Sequence, residues 1–338
     1  MRHLSTAYIR DHAARISHRR GSLHVNLSES MHRIPLESID ALILMGGAQI
    51  TTQALDACVR RGVRVAALRS NGAVRFVVSG PTSGNVHLRL AQHRAASDCN
   101  QALEISKTIV AAKLQSSRKV LERWSRDAKD DAQAEWLAAR AGRIGQRVMQ
   151  LGHASTGDKV RGIEGDAARI HFGALGKVIE PGEFAFSARS RRPPRDPVNA
   201  MLGFCYAMLV TECIGAAESV GLDYQIGFLH RPRSGRPSLA LDLAEELRAV
   251  TDRFVVSSVR RRQVSPDDFV STPGGGVYLS DDGRKRLIAR WEEHKEASLQ
   301  HQLLGKRVGR WAVPSIQATL LARHLRADLP AYPPFVLS

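Results

Sequence analysis

The chain has 338 residues, of which 43% are hydrophobic and 24% charged. That excludes a disulfide-stapled mini-fold, a fibrous protein and wholesale disorder, and length alone favours about two domains. Lysine and arginine number 49 against 33 acids, a formal charge of +16, which points to a polyanionic partner, nucleic acid first. Aromatics, at 5%, are too sparse for recognition carried mainly by base stacking.

A cationic membrane-surface protein would need an amphipathic anchor or a lipidation motif, and neither is found. The first twenty residues hold no apolar stretch of signal-peptide length. The longest weakly polar run, Val198 to Thr211, is broken by Glu212, falls short of a bilayer span and reads as a buried helix. Cys58, Cys99, Cys205 and Cys213 show no CxxC spacing, which argues against disulfides and zinc and fits a reducing cytoplasm.

Up to about residue 85 the chain reads as a small, β-rich domain. Leu23 to Asn26 and Ala41 to Met45 favour strands, punctuated by Arg20-Gly21 and Gly46-Gly47. Thr51 or Thr52 can cap a short helix with an apolar stripe of Leu55, Cys58 and Val59, basic Arg60 and Arg61 at its negative end, and Gly62 as its stop. A strand follows at Val63 to Leu68, then a hairpin turn at Asn71-Gly72 into Val74 to Val78. The stretch GGAQITT lacks the spacing and the later acid of a dinucleotide site.

The breaker cluster Ser79 to Gly84 marks the predicted boundary, giving domains 1–84 and 85–338 in an α+β fold. Beyond it the apolar period becomes helical. Ala102, Ile105, Ile109 and Ala112 share one face, with Val110, Leu114 and Leu121 on a neighbouring one. Asp196 followed by Pro197 starts an apolar helix through Leu209. Phe184 to Asp196 reads as a basic loop, and Pro273 to Gly276 as a turn before Val277-Tyr278-Leu279.

Three places could carry chemistry. Arg161 to Arg169 sets Glu164 between two glycines in an otherwise helical segment; each glycine costs about 1 kcal/mol relative to alanine, which predicts close approach of a neighbouring helix or a phosphate. His230 ends IGFLH. Ser238 reads as the cap of the next helix, in which Asp242 and Glu245 share one face and interrupt a stripe that would otherwise be core. Singly, Glu164 reads as a solvated acid, His230 as a satisfied core histidine and Arg248 as a local partner for Glu245. Together the acids and one imidazole make an oxygen-rich site suited to magnesium or manganese. HExxH, the P-loop, GxSxG and the kinase signatures are absent.

RGIEG followed by AARIHF, then DPVNAMLGFCYAML, IGFLHRPRSGRPSLALDLAEELR and GGGVYLSDDGRKRL, closely resemble, in this order, the CRISPR-associated Cas-one family. The likeness extends through ALILMGGAQITTQALDACVRRGVRVAAL and GPTSGNVHLRLAQHR in the first domain. The resemblance implies a β-rich amino-terminal domain mediating a homodimer and a larger α-helical catalytic domain. It implies metal binding and catalysis by Glu164, His230 and Glu245, with Asp242 supporting and Mg2+ or Mn2+ as cofactor. Many members have aspartate where Glu245 stands. The implied activity is spacer acquisition in antiviral defence: a Cas-two dimer joins the protein to insert short double-stranded DNA at a CRISPR repeat by attack of a 3′-hydroxyl. Arg161, Arg248 and Tyr206 are candidate DNA contacts near the site, with Arg191, Arg192, Lys285 and Arg286 further out. A nuclease of branched DNA that lacks integrase activity, or a metal-free DNA-binding scaffold, are the alternatives.

Overall fold

The computed structural model describes residues 5–28, 30–69, 72, 74–78, 86–179 and 182–337; Asn71 of the predicted turn and the breaker cluster 79–84 lie outside them. Residues 1–84 and 85–338 form separate compact units. The first begins with β1 (Ser5–Ile9), β2 (Arg15–Arg19), β3 (Ser22–Asn26), β4 (Met31–Pro35), β5 (Ile39–Met45) and β6 (Gln49–Ile50). It closes with α1 (Thr52–Arg60), β7 (Arg64–Leu68) and β8 (Val74–Val78). One sheet has the order β1-β5-β7-β8, the other β4-β3-β2-β6. Strand β5 reads IDALILM and runs parallel to both its neighbours, β1 and β7. Buried on both faces, it is apolar nearly throughout instead of alternating. Arg20 and Gly21 adopt φ of 46° and 75°, the two positive values that a two-residue hairpin between β2 and β3 needs.

The cap of α1 is Thr51, whose hydroxyl accepts from the Ala54 amide at 3.3 Å. Gly62, at φ 70°, ends the helix as expected. Val63 does not open the following strand. Its amide donates to the Cys58 carbonyl at 2.9 Å, so it belongs to the C-cap of α1, and β7 begins one residue later.

The second unit is helical, with two small hairpins. Its elements are α2 (Val86–Ser97), α3 (Cys99–Arg126), α4 (Asp131–Gly152), α5 (Gly157–Val178), α6 (Pro197–Ser219) and α7 (Ser238–Arg260), then β9 (Phe269–Ser271), β10 (Val277–Leu279), α8 (Asp281–Glu296), β11 (Ser298–His301), β12 (Lys306–Gly309) and α9 (Val313–Leu325). The long α3 packs along α4, α5 and α7, and α6 packs on α7 and α9. Asp196 caps α6 through the Asn199 amide at 2.7 Å. That helix runs ten residues past the predicted Leu209. Glu212 does not break it, because its carboxylate accepts from Lys295 Nζ at 2.9 Å and Trp291 Nε1 at 3.3 Å. At 23 residues α6 is long and apolar enough to cross a membrane, yet 72% of its apolar window is buried inside the protein. It is the core helix the sequence predicted, though its length alone would not have told it from a span. All four cysteines are free, three of them buried.

Beneath α7, Glu246 is buried and accepts from Tyr332 Oη at 2.5 Å, the Phe335 amide at 2.6 Å and Gln317 Nε2 at 2.8 Å. Burial outweighs these bonds, and with Asp242 nearby the carboxyl is pushed up to about 7 from 4.5. Between those two values the folded chain holds a proton that the unfolded chain has released, so stability falls as pH rises through this window, by about 3 kcal/mol in all. Urea unfolding across pH 4 to 8 is expected to show this decline and Glu246→Gln to flatten it. Identical slopes for the two proteins would contradict the assignment.

Candidate active site

Three helices and one loop of the second unit converge. The mid-section of α3 supplies Lys113, α5 supplies Glu164, α7 supplies Asp242, Glu245, Arg248 and Asp252, and the loop between α6 and α7 supplies His230. Spacing on α7 explains why its acids share a face: Asp242, Glu245 and Asp252 recur at three and seven residues, the period of a helical stripe. All three are buried. Buried acids require partners, and each has them.

Asp242, fully buried, organises the histidine loop. Oδ2 accepts from the amides of Phe228 at 2.6 Å and Leu229 at 3.1 Å, while Oδ1 accepts from the His230 amide at 3.0 Å and ring Nδ1 at 2.7 Å. A carboxylate can only accept, so Nδ1 carries a proton and Nε2 is the ring nitrogen turned toward Glu245. Nε2 lies 3.9 Å from Glu245 Oε1. The close approach demands glycine at 227, where a Cβ would stand 2.7 Å from Asp242 Oδ2 and from the Ser238 carbonyl carbon. Ser238 is not the cap of α7. It is the first helical residue, with Pro237 in the cap position, and its hydroxyl donates to the Arg231 carbonyl at 3.2 Å. Asp242→Asn, which cannot accept all four bonds and hold Nδ1–H as firmly, is expected to weaken Mn2+ binding by about 10- to 100-fold in calorimetric titration; unchanged affinity would show that the ring's orientation does not matter.

Glu245 is ringed by cations. Its Oε2 stands 2.7 Å from Lys113 Nζ, and its Oε1 accepts from Arg248 Nε at 2.7 Å. Burial pushes its pKa up, but Arg248, Lys113 and His230 prevail and hold the carboxyl down at about 2. The same Lys113 ammonium also pairs with Glu164 Oε1. The sequence reading missed this lysine, although it stands four residues after buried Ile109 and three before buried Ser116, a core position where a free amine has no business without acids.

Among the described residues, no group of three His, Cys, Asp or Glu side chains is drawn tightly enough together to hold a metal ion. The expected triad therefore converges differently from the sequence expectation. Its two carboxylates close on the Lys113 ammonium, with the imidazole beside them. The donor set nonetheless fits a hard divalent ion: two carboxylates that already share one positive charge, and beside them an imidazole nitrogen oriented by a third carboxylate, Asp242.

Several other expectations change. Tyr206 is buried and donates to Asp252 Oδ1, so it is not a surface for DNA; Arg248 stacks on its ring at 4.4 Å. Asp252 also meets His171 Nε2 at 2.9 Å, and this layer braces Arg248 against Glu245. Arg161 pairs with Asp158 and reaches the Leu229 carbonyl at 3.4 Å, buttressing the histidine loop. Arg286 is exposed but paired with buried Asp268. Arg191, Arg192 and Lys285 are exposed. At Gly162 and Gly165 an added Cβ would meet nothing within 4 Å, so no helix approaches there and the space beside Glu164 is open.

Residues 7–293 match the family model described as CRISPR associated protein Cas1. Over 310 residues the chain is 42% identical to the CRISPR-associated endonuclease Cas1 2 of Rhodospirillum rubrum, spanning 90% of this chain and 89% of that one. Among solved structures, a casposase bound to integration product is similar with a TM-score of 0.83 at 25% identity, over 97% of this chain and 92% of that chain. A Cas6-RT-Cas1–Cas2 complex is similar with a TM-score of 0.81 at 21% identity, over 99% of this chain and 36% of that chain. With a family model matching most of its length and a relative at this level of identity, the chain belongs to the Cas1 family of CRISPR-associated proteins.

Proposed function

We propose that this protein is a divalent-metal-dependent DNA endonuclease and integrase of CRISPR adaptation, with Glu164, His230 and Glu245 as its ligands. The observation that carries the reading is the meeting of Glu164 and Glu245 on one ammonium, with His230 Nε2 3.9 Å from the other oxygen of Glu245, on a chain of net charge +16. The endonuclease name of the Rhodospirillum rubrum relative and the casposase bound to integration product support it.

Bound among these three side chains, Mg2+ or Mn2+ would supply charge at the scissile phosphate. The residues do the rest. Arg248 keeps Glu245 ionised, Asp242 keeps the proton on Nδ1 of His230, and the open space at Gly162 and Gly165 leaves room for a strand beside Glu164. A DNA 3′-hydroxyl gives up its proton to water as its oxygen forms the new P–O bond, the phosphate's former ester oxygen leaves with the electron pair and takes a proton from water, and no protein atom enters the covalent sequence. The exposed cations Arg191, Arg192 and Lys285 supply sequence-independent hold on the DNA backbone.

In this reading residues 1–84 form the homodimer contact, residues 85–338 the catalytic domain, a Cas-two dimer is the partner, and the cytoplasm is the compartment. The test is joining of a labelled 3′-hydroxyl oligonucleotide into a supercoiled plasmid carrying a CRISPR repeat, with and without Cas-two and Mn2+. Joined product that needs Mn2+ supports the proposal. Cleavage of branched DNA without any joining, even with partner and metal present, would replace it with a nuclease that cannot transfer strands.

A further inference from the structure

A cleft of about 1150 Å³ opens in the helical unit between the C-terminal turns of α3 and α7, α8 and the residues after β12. Its lining is rich in cations, and its acids are already engaged. Glu122 accepts from Arg118 Nε at 2.8 Å, Asp127 from Arg123 Nε at 2.8 Å and Glu293 from Arg290 Nη1 at 2.9 Å. Two half-buried arginines remain. Arg253 makes no hydrogen bond or ion pair with any described residue. Arg310 donates through Nη1 to the His294 carbonyl at 2.8 Å and to ring Nδ1 at 2.9 Å, but its buried Nε has no acceptor among the described residues.

We propose that this cleft is a second phosphate-binding site, in which Arg253 and Arg310 grip the DNA backbone away from the metal position. The inference rests on the DNA-acting reading above. Cations at helix C-termini are often explained by the helix dipole, and that accounts for Arg126 and Arg260 in the last turns of α3 and α7. It does not account for the other two. Arg253 stands two turns before the end of α7, and Arg310 lies just ahead of the positive end of α9. Burial and the neighbouring cations weaken proton binding on both guanidinium groups, and burial with Arg310 and Arg253 holds His294 down at about 3. At neutral pH the cleft therefore offers two crowded cations, a neutral imidazole and an orphaned N–H donor. An incoming anion that is planar-fork compatible and doubly accepting, as a phosphodiester is, satisfies all of these at once.

Placement gives the proposal a length. Eight residues of α7 separate Glu245 from Arg253, about 12 Å at 1.5 Å per residue. A duplex strand advances about 3.4 Å per nucleotide, so DNA has to extend some nucleotides beyond the reacting phosphate to reach both places.

The test uses the full-length protein and fluorescein-labelled duplexes whose arms extend two, four or eight nucleotides beyond the reacting phosphate, in anisotropy titrations over a salt series. For Arg253→Gln/Arg310→Gln the longer duplexes are expected to bind about 10-fold more weakly, with a salt slope shallower by about 1 to 2, while the two-nucleotide arm binds both proteins alike. Thermal unfolding of the double variant is expected to fall modestly, because Arg310 gives up its bonds to His294, whereas Arg253→Gln alone is expected to unfold unchanged or later. Equal affinities and slopes on every arm would overturn the proposal, and so would a lower unfolding temperature for Arg253→Gln alone, which would reveal a structural partner for that arginine. Millimolar inorganic phosphate that binds wild type but not the variant, with DNA affinity unchanged between them, would assign the cleft to free phosphate and also overturn it. Wild-type joining, scored in the same samples, reports separately on the metal-site reading.

Discussion

His230→Ala and Glu164→Ala are each expected to lower Mn2+-dependent strand joining by more than about 100-fold, while salt-dependent DNA binding stays nearly unchanged. Changes one shell further out cost 10- to 100-fold in metal sites, and a lost ligand costs at least that. DNA affinity is carried instead by phosphate contacts from arginine and lysine, none of which these substitutions remove. The measurements are product formation on a supercoiled repeat plasmid and anisotropy with the same DNA. Full joining by His230→Ala would remove the imidazole from the site. A parallel collapse of DNA binding would mean that the loop between α6 and α7, pinned by Asp242 through three backbone amides, had come apart.

Lys113→Met is expected to destabilise the metal-free protein by about 3 to 5 kcal/mol, the usual result of removing one partner from a buried charge cluster. The ammonium is held by Glu164 and Glu245 at once, and Glu245 is buried. Without it two carboxylates face one another with only Arg248 and His230 to offset the repulsion. Saturating Mn2+ is expected to recover most of the loss, because an ion that binds only the folded state stabilises it by mass action. It should also bind the variant more tightly than wild type, since no resident cation has to be displaced. Urea unfolding in EDTA and in Mn2+ reads both effects. An equal loss in the two buffers, or no loss in EDTA, would show that the ammonium and the metal ion do not share a place.

Much of the candidate site was legible before any coordinates, for reasons that differ by residue. Asp242 and Glu245 were readable as inward-facing because a carboxylate at core spacing on a helix has to be buried or break the helix. Glu164 and His230 drew notice through their glycine-flanked and apolar surroundings, and the order of the motifs carried the family likeness. Lys113 was open to the same argument as the acids, as a charge on the apolar stripe of α3, but nothing near it in the chain names its partners. Those lie 51 and 132 residues away, on α5 and α7. Of the two neighbours the glycines flanking Glu164 suggested, a helix or a phosphate, the packed helix is not there and the room is open space.

Caps and turns depend on a few adjacent atoms. Thr51, Gly62, Arg20-Gly21 and Asp196 behave as their side chains and backbone freedom dictate, so the chain's own order determined where most elements start and stop, and its composition determined a net charge of +16. Which buried charge answers which was decided only by packing. Tyr206 turns inward to Asp252, Arg286 pairs with Asp268, and Arg253 meets no acid among the described residues. Pairing across a helical bundle depends on how α3, α5, α7 and α8 are laid side by side, and the energy of a charge depends on the few ångströms around it, which no local stretch of sequence contains.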